Sequence, residues 1–336
     1  MHNDIPPFER IFSLPALIHA WRSFSAGKKT RDDVSGFSLH LMANLRGLHH
    51  ELADGSYQHG GYAYFKVRDP KPRDIHKASI RDRLLHHALH RKLYPFFDRT
   101  FIADSFSCRF GKGTHRAINR FRAFAYKASR NHTRTCFVLK YDIRKFFANI
   151  DHQILFSILA RYIPDKDTMA LLENIVESFS SGKSGVGLPL GNLTSQLMVN
   201  IYMNEFDQFV KHKLKVKYYI RYADDFVMLS HDRQKLEQLL HRIEEFLLKR
   251  LKLALHPDKV FIKTVASGVD FLGWAHFPDH RVLRTSTKRR MFRRLQGAQS
   301  EEVVASYLGL LSNGNAVTLQ KLIEKSYSTT DARTES

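Results

Sequence analysis

The chain has 336 residues, of which 43% are hydrophobic and 26% are charged, a composition typical of a globular protein of about two domains. Two cysteines exclude a disulfide-stapled scaffold and a zinc module built on several thiolates, and they favour a cytoplasmic location. Lysine and arginine number 53 against 33 acidic residues, so the net charge is +20 and a polyanionic partner is favoured.

The N-terminal third predicts helices followed by a hairpin. Apolar residues at helical spacing, including Phe37, Leu41 and Leu45, predict helices up to about residue 57. The alternating segment 62–67 predicts a strand, and two prolines mark a turn before a second extended segment. A further helix is predicted over about 80–93.

Strands and helices interleave through the rest of the chain. Short strands are predicted at 136–141 and 271–274, and the segment 216–229 predicts two strands joined at Ala223 and Asp224. Helical periodicity covers 234–251 and returns in a basic tail from about residue 288. Interleaved elements with a local hairpin at the centre predict an α+β fold.

Neither a signal peptide nor a membrane span is expected. The N-terminus lacks a basic stretch, and its apolar segment is interrupted by Ser13 and Pro15. The longest uncharged run, 184–204, is long enough to span a bilayer, but its Gly, Pro, Asn, Ser, Thr and Gln content disfavours insertion. The partner is therefore not expected to be a membrane.

The positive charge is concentrated in segments. Residues 281–296 contain seven basic residues and no acidic one, without the continuous apolar face that a membrane-surface helix needs. Diffuse solubilising charge is the alternative explanation, but clustering on one helix favours nucleic acid. The basic residues of the predicted ridge are Lys288, Arg289, Arg290, Arg293 and Arg294.

Three aspartates follow predicted strands. Asp142 ends one strand, whereas Asp224 and Asp225 lie at the tip of the predicted hairpin. If these strands neighbour each other in one sheet, the carboxylates converge and require cations, and hard oxygen ligands select Mg²⁺. Two Mg²⁺ ions are the arrangement that supports in-line phosphoryl displacement. An ordinary turn pair is the alternative for Asp224 and Asp225.

Other residues fit a nucleotide site, each beside a simpler explanation. Phe146 and Phe147 closely follow Asp142; one of them packs in the core, and a ring near the metals would exclude a ribose 2′-hydroxyl. The loop 187–196 precedes an apolar helix of about 197–210, with Thr194 or Ser195 as its expected N-cap. Lys71 and Arg73 either reach a triphosphate or remain solvated.

Six sequence blocks together resemble the motifs of reverse transcriptases. They occur in the family's order and with its spacing over roughly residues 35–275. The YADD block resembles the YxDD motif that carries the catalytic acids. The blocks are RDI at 73–75 with IRDR at 80–83, SFSCRFGKGTH at 105–115, KYDIRKFFANID at 140–151, YADD at 222–225, HPDK at 256–259 and FLGW at 271–274.

The resemblance implies a right-hand polymerase whose antiparallel palm sheet carries the catalytic aspartates. It implies fingers, palm and thumb, together with a template RNA, a nucleic-acid primer and dNTPs as partners. The expected domains are an N-terminal helical extension with fingers at 1–65, fingers at 66–135, a palm at 136–276 with a fingers-like insertion at about 152–185, and a basic helical thumb at 277–336.

The resemblance also assigns roles to individual residues. Asp142, Asp224 and Asp225, with the backbone carbonyl of Ile143, would bind two Mg²⁺ ions. The triphosphate would be held by Arg73 and Lys71, with Lys259 as proton donor to the pyrophosphate. The remaining nucleotide-binding residues would be Phe147 at the sugar gate, Leu190, Gly191 and Gln196. Besides the helical ridge, Arg109 and Lys112 would contact nucleic acid.

One departure indicates a subgroup. Most reverse transcriptases carry Gln-Gly, three residues, then Ser-Pro, whereas this chain has LGNLTSQ at 190–196. This variant resembles the enzymes of diversity-generating retroelements, which copy a template RNA with errors at adenines and act with a small basic accessory protein that forms an oligomer. We hypothesise that Leu190 lowers fidelity, because it removes a polar contact that discriminates between nucleotides.

Three alternatives remain open. The first is a reverse transcriptase of a retron or phage-defence system, which shares the palm but copies another RNA. The second is a non-catalytic RNA-binding scaffold, disfavoured because clustered acids do not help to bind phosphate. The third, a group II intron enzyme, is disfavoured because no maturase extension is recognised.

Overall fold

The computed structural model describes residues 5–68, 72–297 and 301–324. Helices and antiparallel strands alternate along these ranges, so the predicted α+β class is confirmed. The α-helices are α1 (Phe8–Ile11), α2 (Leu14–Ser25), α3 (Asp32–Leu39), α4 (Leu41–Ala53), α5 (Ile80–Asp98), α6 (Thr114–Ala128), α7 (His152–Ala160), α8 (Lys166–Glu177), α9 (Leu193–Gln208), α10 (Arg233–Leu251), α11 (Thr285–Gly297) and α12 (Glu301–Leu311).

The described strands form three antiparallel sheets. Strands β1 and β2 form a two-stranded sheet, four strands form a sheet in the order β4-β5-β3-β6, and β7, β8 and β9 form a third sheet. The strands are β1 (Tyr62–Val67), β2 (Arg73–Ala78), β3 (Phe137–Asp142), β4 (Tyr219–Tyr222), β5 (Asp225–Ser230), β6 (Phe261–Thr264), β7 (Val269–Phe271), β8 (Trp274–His276) and β9 (Arg281–Leu283).

Several helices begin at capping residues encoded in the local sequence. Ser79 accepts a hydrogen bond from the backbone N–H of Asp82 at 3.1 Å, at the start of α5. Asp151 and Asp165 cap α7 and α8 in the same way, at 3.0 and 2.7 Å. Each cap satisfies an N–H that has no partner within the helix, so these starts depend on the sequence next to them.

Two local predictions were wrong. Helix α9 begins at Leu193 with Asn192 at its N-cap, so Thr194 and Ser195 lie inside its first turn. The segment 271–274 is a turn between β7 and β8 rather than one strand, because Leu272 and Gly273 adopt φ values of 51° and 86°. Positive φ reverses the chain, which no continuous strand allows.

The described residues fall into two compact units. The first comprises Met1–Cys108, Ile143–Lys215 and Arg242–His256. Its centre is formed by helices, with α5 packed against both α2 and α9, and α7 against α8 and α9. Buried leucines on α5, such as Leu84, Leu85 and Leu89, face this core.

The second unit comprises Arg109–Asp142, Val216–His241 and Pro257–Ser336. Helix α6 packs against β4 and β5 of the four-stranded sheet. A separate cluster around the fully buried Trp274 includes Met291 of α11 and Leu311 of α12. A side chain at Gly314 would overlap the Trp274 ring, so the chain passes directly over the indole.

The predicted polymerase domains do not coincide with these units. Residues 143–215 and 242–256 of the expected palm belong to the first unit. All six strands of the expected palm, β3 to β8, belong to the second unit. The expected boundary between palm and thumb falls between β8 and β9, which pair in one sheet. The domain boundaries therefore stay a prediction.

No helix in the described part of the chain is both long enough and apolar enough to cross a membrane.

Candidate active site

The acids identified from the sequence converge at the end of the four-stranded sheet. Strands β3 and β5 pair antiparallel, and Asp142 is the register partner of Asp225. Asp224 precedes Asp225 in the turn between β4 and β5. The strands are thus neighbours, as convergence of the carboxylates requires. In an antiparallel pair, opposite residues lie about 5 Å apart and direct their side chains to the same face.

The turn that carries Asp224 is stabilised by the side chain of a buried arginine, Arg221. Ala223 adopts φ 55°, an uncommon conformation for a residue with a side chain. The carbonyl oxygen of Ala223 accepts a hydrogen bond from Nη1 of Arg221 at 3.2 Å, and Arg221 is fully buried. A buried guanidinium that contacts the turn therefore helps to fix the position of the acid pair.

Each of two carboxylates is paired with a lysine. Nζ of Lys259 donates to Oδ1 of Asp142 at 2.9 Å, and Nζ of Lys140 lies 3.1 Å from Oδ2 of Asp225. Lys140 also donates to the backbone carbonyl of Asp270 at 2.8 Å. No role was predicted for Lys140 from the sequence. Because side chains alternate along a strand, its place two residues before Asp142 was the available signal.

The carboxylates repel one another when all three are ionised, and their oxygens are of the kind that binds a divalent cation. Burial, together with the charges of Asp224 and Asp142, raises the pKa of the Asp225 carboxyl to about 6 against the opposing effect of Lys140. Oδ1 of Asp225 is buried and has no hydrogen-bond partner among the described residues. Hard oxygen ligands of this kind suit Mg²⁺. The described residues contain no group of three or more His, Cys, Asp or Glu side chains arranged to hold a metal ion. Lys140 and Lys259 are paired with Asp225 and Asp142 instead.

Phe147 lies on a short 3-10 helix, Phe146–Asn149, in the first unit. Phe146 is buried and Phe147 is half-buried, so one ring of the pair belongs to the core. The carbonyl of Phe147 accepts a hydrogen bond from the N–H of Leu188 at 2.8 Å. The predicted sugar gate is thus attached directly to the loop that leads to Leu190.

Leu190 and Gly191 contact β2 within the same unit. The carbonyl of Leu190 accepts a hydrogen bond from the N–H of His76 at 3.0 Å. Gly191 adopts φ 112°, and a Cβ atom there would lie 2.9 Å from Cγ2 of Ile75. Only glycine combines this φ with so close an approach. Arg73, on the same strand, is exposed.

Three further residues were predicted to bind the nucleotide or the metals: Gln196, Lys71 and Ile143. Gln196 is half-buried in the first turn of α9, and Lys71 lies outside the described residues. Ile143 directly follows Asp142 and forms an isolated bridge with Leu255. The first unit thus holds Arg73, Phe147, Leu190, Gly191, Gln196 and Ile143, whereas the second holds Asp142, Asp224, Asp225 and Lys259.

The predicted nucleic-acid contacts belong to the second unit. Arg109 and Lys112 lie in the loop before α6, where the N–H of Lys112 donates to the carbonyl of Arg109 at 3.2 Å. The basic ridge lies on one helix, α11, on which Arg290 is half-buried and the other four residues are exposed. The four exposed residues are Lys288, Arg289, Arg293 and Arg294.

Comparisons with known proteins show the family of the chain. The family described as reverse transcriptase (RNA-dependent DNA polymerase) matches residues 67–276, more than half of the chain. Protein YkfC of Escherichia coli (strain K12) is 26% identical over 289 residues, which cover 74% of this chain and 73% of YkfC. The group II intron-encoded protein LtrA of Lactococcus lactis subsp. cremoris is 22% identical over 329 residues, which cover 77% of this chain and 53% of LtrA.

Solved structures show the same fold. A telomerase from Candida albicans, solved with a TWJ fragment of telomeric RNA, superposes with a TM-score of 0.55 at 12% identity, covering 81% of this chain and 54% of the telomerase chain. The chain thus spans about half the length of LtrA and of this telomerase. The fold is that of the right-hand polymerases, and the chain belongs to the reverse transcriptase family of RNA-directed DNA polymerases.

Proposed function

We propose that this chain copies a template RNA into DNA by nucleotidyl transfer at Asp142, Asp224 and Asp225. The primer 3′-hydroxyl attacks the α-phosphate of a dNTP, and pyrophosphate leaves. The observation that carries the proposal is the register pairing of Asp142 with Asp225 beside the turn that holds Asp224. Two Mg²⁺ ions bound by these carboxylates and the Ile143 carbonyl would activate the hydroxyl and neutralise the leaving group.

The two lysines keep the acids in place before the metals bind. Lys259 pairs with Asp142 and Lys140 with Asp225, which offsets part of the repulsion among three carboxylates. Lys259 is partly exposed, and it would serve as the proton donor to the pyrophosphate if Asp142 were bound to a cation instead. Lys140 also donates a hydrogen bond to the Asp270 carbonyl, so we expect it to keep its position beside Asp225 when the metals bind.

The incoming dNTP is proposed to bind residues of the first unit. Arg73, with Lys71, holds the triphosphate, and Phe147 excludes a ribose 2′-hydroxyl. Leu190 and Gly191 border the base, and Gln196 lies at the N-terminus of α9, where backbone N–H groups favour phosphate. The close packing of Gly191 on Ile75 supports a single nucleotide-binding surface made of the loop and β2.

Template RNA and primer are proposed to bind the basic surface of the second unit. The exposed cations of α11 would contact backbone phosphates, as would Arg109 and Lys112. This assigns a thumb role to the region 277–336. The cysteine count of the chain supports a cytoplasmic site of action.

We further propose that the enzyme belongs to a diversity-generating retroelement and makes errors at template adenines. The support is the LGNLTSQ string at 190–196, in which Leu190 replaces the usual Gln. A small basic accessory oligomer is then the expected protein partner. Because both proteins are basic, RNA or acidic patches would have to lie between them.

Primer extension on a mixed-sequence RNA template, with Mg²⁺ and dNTPs, tests these proposals. Asp224→Asn should reduce extension at least ~10³-fold, since it removes several kcal/mol of transition-state stabilisation. Asp232→Asn is the matched control, because Asp232 lies in the same unit, is exposed and accepts a capping hydrogen bond from the N–H of Lys235. Full activity of Asp224→Asn would contradict the assignment of the acids.

The sequenced products separate the alternatives. Errors concentrated at template adenines support the retroelement subgroup, whereas faithful copying keeps the polymerase and favours the retron or defence system. A wild-type protein that extends no primer, even together with its accessory protein, would favour the non-catalytic scaffold.

A further inference from the structure

Strand β2 is hydrogen-bonded along both of its edges. One edge pairs with β1 from Tyr62↔Ala78 to Val67↔Arg73. The other edge is covered by the loop that precedes α9, where the N–H of His76 donates to the carbonyl of Leu190 at 3.0 Å. The β1–β2 hairpin is therefore not a free two-stranded flap, since the loop serves as a third partner.

The side chain of Asn192 completes this third partner. Its Nδ2 donates to the carbonyl of His76 at 2.9 Å, and its Oδ1 accepts from the N–H of Ala78 at 3.4 Å. His76 and Ala78 are two residues apart, so their backbone groups point to the same edge of β2. One carboxamide thus offers the donor and the acceptor that a neighbouring strand would offer.

This use of the amide explains an unusual helix start. Asn192 occupies the N-cap of α9, yet its side chain makes no capping hydrogen bond. The residue is 3% exposed, and its side chain is directed to β2 instead. A favourable local interaction is therefore given up for a contact with a residue 116 positions away in the sequence.

Two further contacts show that β2 is held firmly. Cγ2 of Ile75 lies so close to Gly191 that a Cβ atom there would approach it to 2.9 Å. Lys77, between the two residues bound by Asn192, pairs with Asp33 of α3 at 2.6 Å, and Asp33 also accepts from Arg83 of α5 at 2.6 Å. Strand β2 is thus connected to β1, to the loop before α9 and to α3.

We propose that Asn192 is a positioning residue that locks the strand carrying Arg73 to the loop carrying Leu190. The two nucleotide-binding segments then form one rigid surface, and dNTP does not have to bring them together. The inference deepens the proposed function, on which the roles of Arg73 and Leu190 rest. Loss of the lock adds the cost of ordering the hairpin to each binding event, so it raises KM for dNTP more than it lowers kcat.

Hydrogen exchange tests the lock without reference to catalysis. In Asn192→Ala, amides of the peptide that contains His76 and Ala78 should exchange roughly fivefold faster, because a net hydrogen bond is lost. Gln208→Ala is the matched control: Gln208 Nε2 donates to the carbonyl of Thr100 at 3.0 Å from the opposite end of α9. It should leave exchange in β2 unchanged.

Steady-state kinetics then test positioning. Asn192→Ala should raise KM for dNTP roughly fivefold with a smaller change in kcat, and Gln208→Ala should change neither. Asn192→Asp keeps the acceptor for Ala78 but sets a carboxylate oxygen against the His76 carbonyl, so it should also raise KM. This variant decides the question if the alanine variant does not fold.

The outcomes are distinguishable. Unchanged exchange in β2 of Asn192→Ala overturns the proposal, as does faster exchange with an unchanged KM. Faster exchange together with a raised KM supports it. If the wild type extends no primer, the proposed function fails on its own, and the exchange of β2 still decides whether Asn192 holds the strand.

Discussion

Lys140 and Asp225 lie on the neighbouring strands β3 and β5, and Nζ of Lys140 is 3.1 Å from Oδ2 of Asp225. The same ammonium donates to the carbonyl of Asp270, so its position is defined at two points. One oxygen of the Asp225 carboxylate is therefore taken, whereas Oδ1 is buried without a hydrogen-bond partner among the described residues. Lys140 thus controls both the charge and the orientation of a candidate metal ligand.

Removal of this lysine should change the pH dependence of polymerisation. Lys140 lowers the pKa of Asp225, which burial raises to about 6. In Lys140→Met the pKa should rise further, so the acidic limb of the kcat/KM profile should move to higher pH. Lys140→Arg should restore part of the shift. Lys263→Met, which removes an exposed lysine from β6, is the control; equal profiles for both Met variants would contradict the prediction.

Neutralisation of Asp225 should stabilise the metal-free protein. Its folded-state pKa of about 6 lies above the ordinary value of 3.8, so the folded state binds the extra proton between these values. The free energy of unfolding therefore falls as the pH rises from about 4 to 6, and it stays at the lower value above pH 6. Asp225→Asn should raise the free energy of unfolding by about 1–2 kcal/mol at pH 8 and by almost nothing at pH 4.

Thermal melts of the two proteins in EDTA, at both pH values, measure this difference. Asp232→Asn should show no such gain, because Asp232 is an exposed helix-capping residue. A loss of stability in Asp225→Asn at pH 8 would mean that the ion pair with Lys140 outweighs the cost of burial.

Gly191→Ala should disturb the loop beside β2. A side chain would be strained at φ 112° and would lie 2.9 Å from Cγ2 of Ile75, so we expect a loss of about 1–3 kcal/mol. Gly182→Ala separates the two causes, because Gly182 has φ 89° but open space around its Cβ position. Chemical denaturation measures both losses; if they are equal, contact with Ile75 contributes nothing.

Leu190→Gln should increase fidelity. A glutamine amide restores a polar contact whose loss with a mispaired nucleotide carries a cost, so misincorporation at template adenines should fall several-fold. Leu190→Met keeps the residue apolar and should leave the error rate at the wild-type level. Sequencing of cDNA from one template provides both numbers. Equal error rates in the Gln and Met variants would refute the link to Leu190.

Loss of charge on α11 should weaken nucleic-acid binding in a salt-dependent way. Arg289→Ala with Arg293→Ala removes two exposed cations one turn apart. The negative slope of log K against log salt should therefore become shallower by about 2. Lys235→Ala, an exposed residue of α10, should leave the slope unchanged. Fluorescence anisotropy with a labelled template–primer at several salt concentrations measures it; an unchanged slope in the double variant argues against contact of α11 with phosphate.

The sequence by itself determined the local elements and the family. Alternation of apolar residues located β1 and the hairpin of β4 and β5, and helical spacing located α10. These patterns are legible because side-chain periods of 2 and 3.6 arise from local backbone geometry. The six ordered blocks identified a reverse transcriptase, which the family match confirms.

The tertiary structure decided which distant residues meet. The pairing of Asp142 with Asp225 depends on strand order, since β3 pairs with β5 across 82 intervening residues and not with its neighbour in sequence. The contacts of Lys140 with Asp225 and of Asn192 with β2 arise in the same way, between residues that local spacing does not relate. The sequence placed the N-cap of α9 at Thr194 or Ser195 and gave Asn192 no role, because the two hydrogen bonds of its amide go to backbone groups of β2 that are distant in sequence.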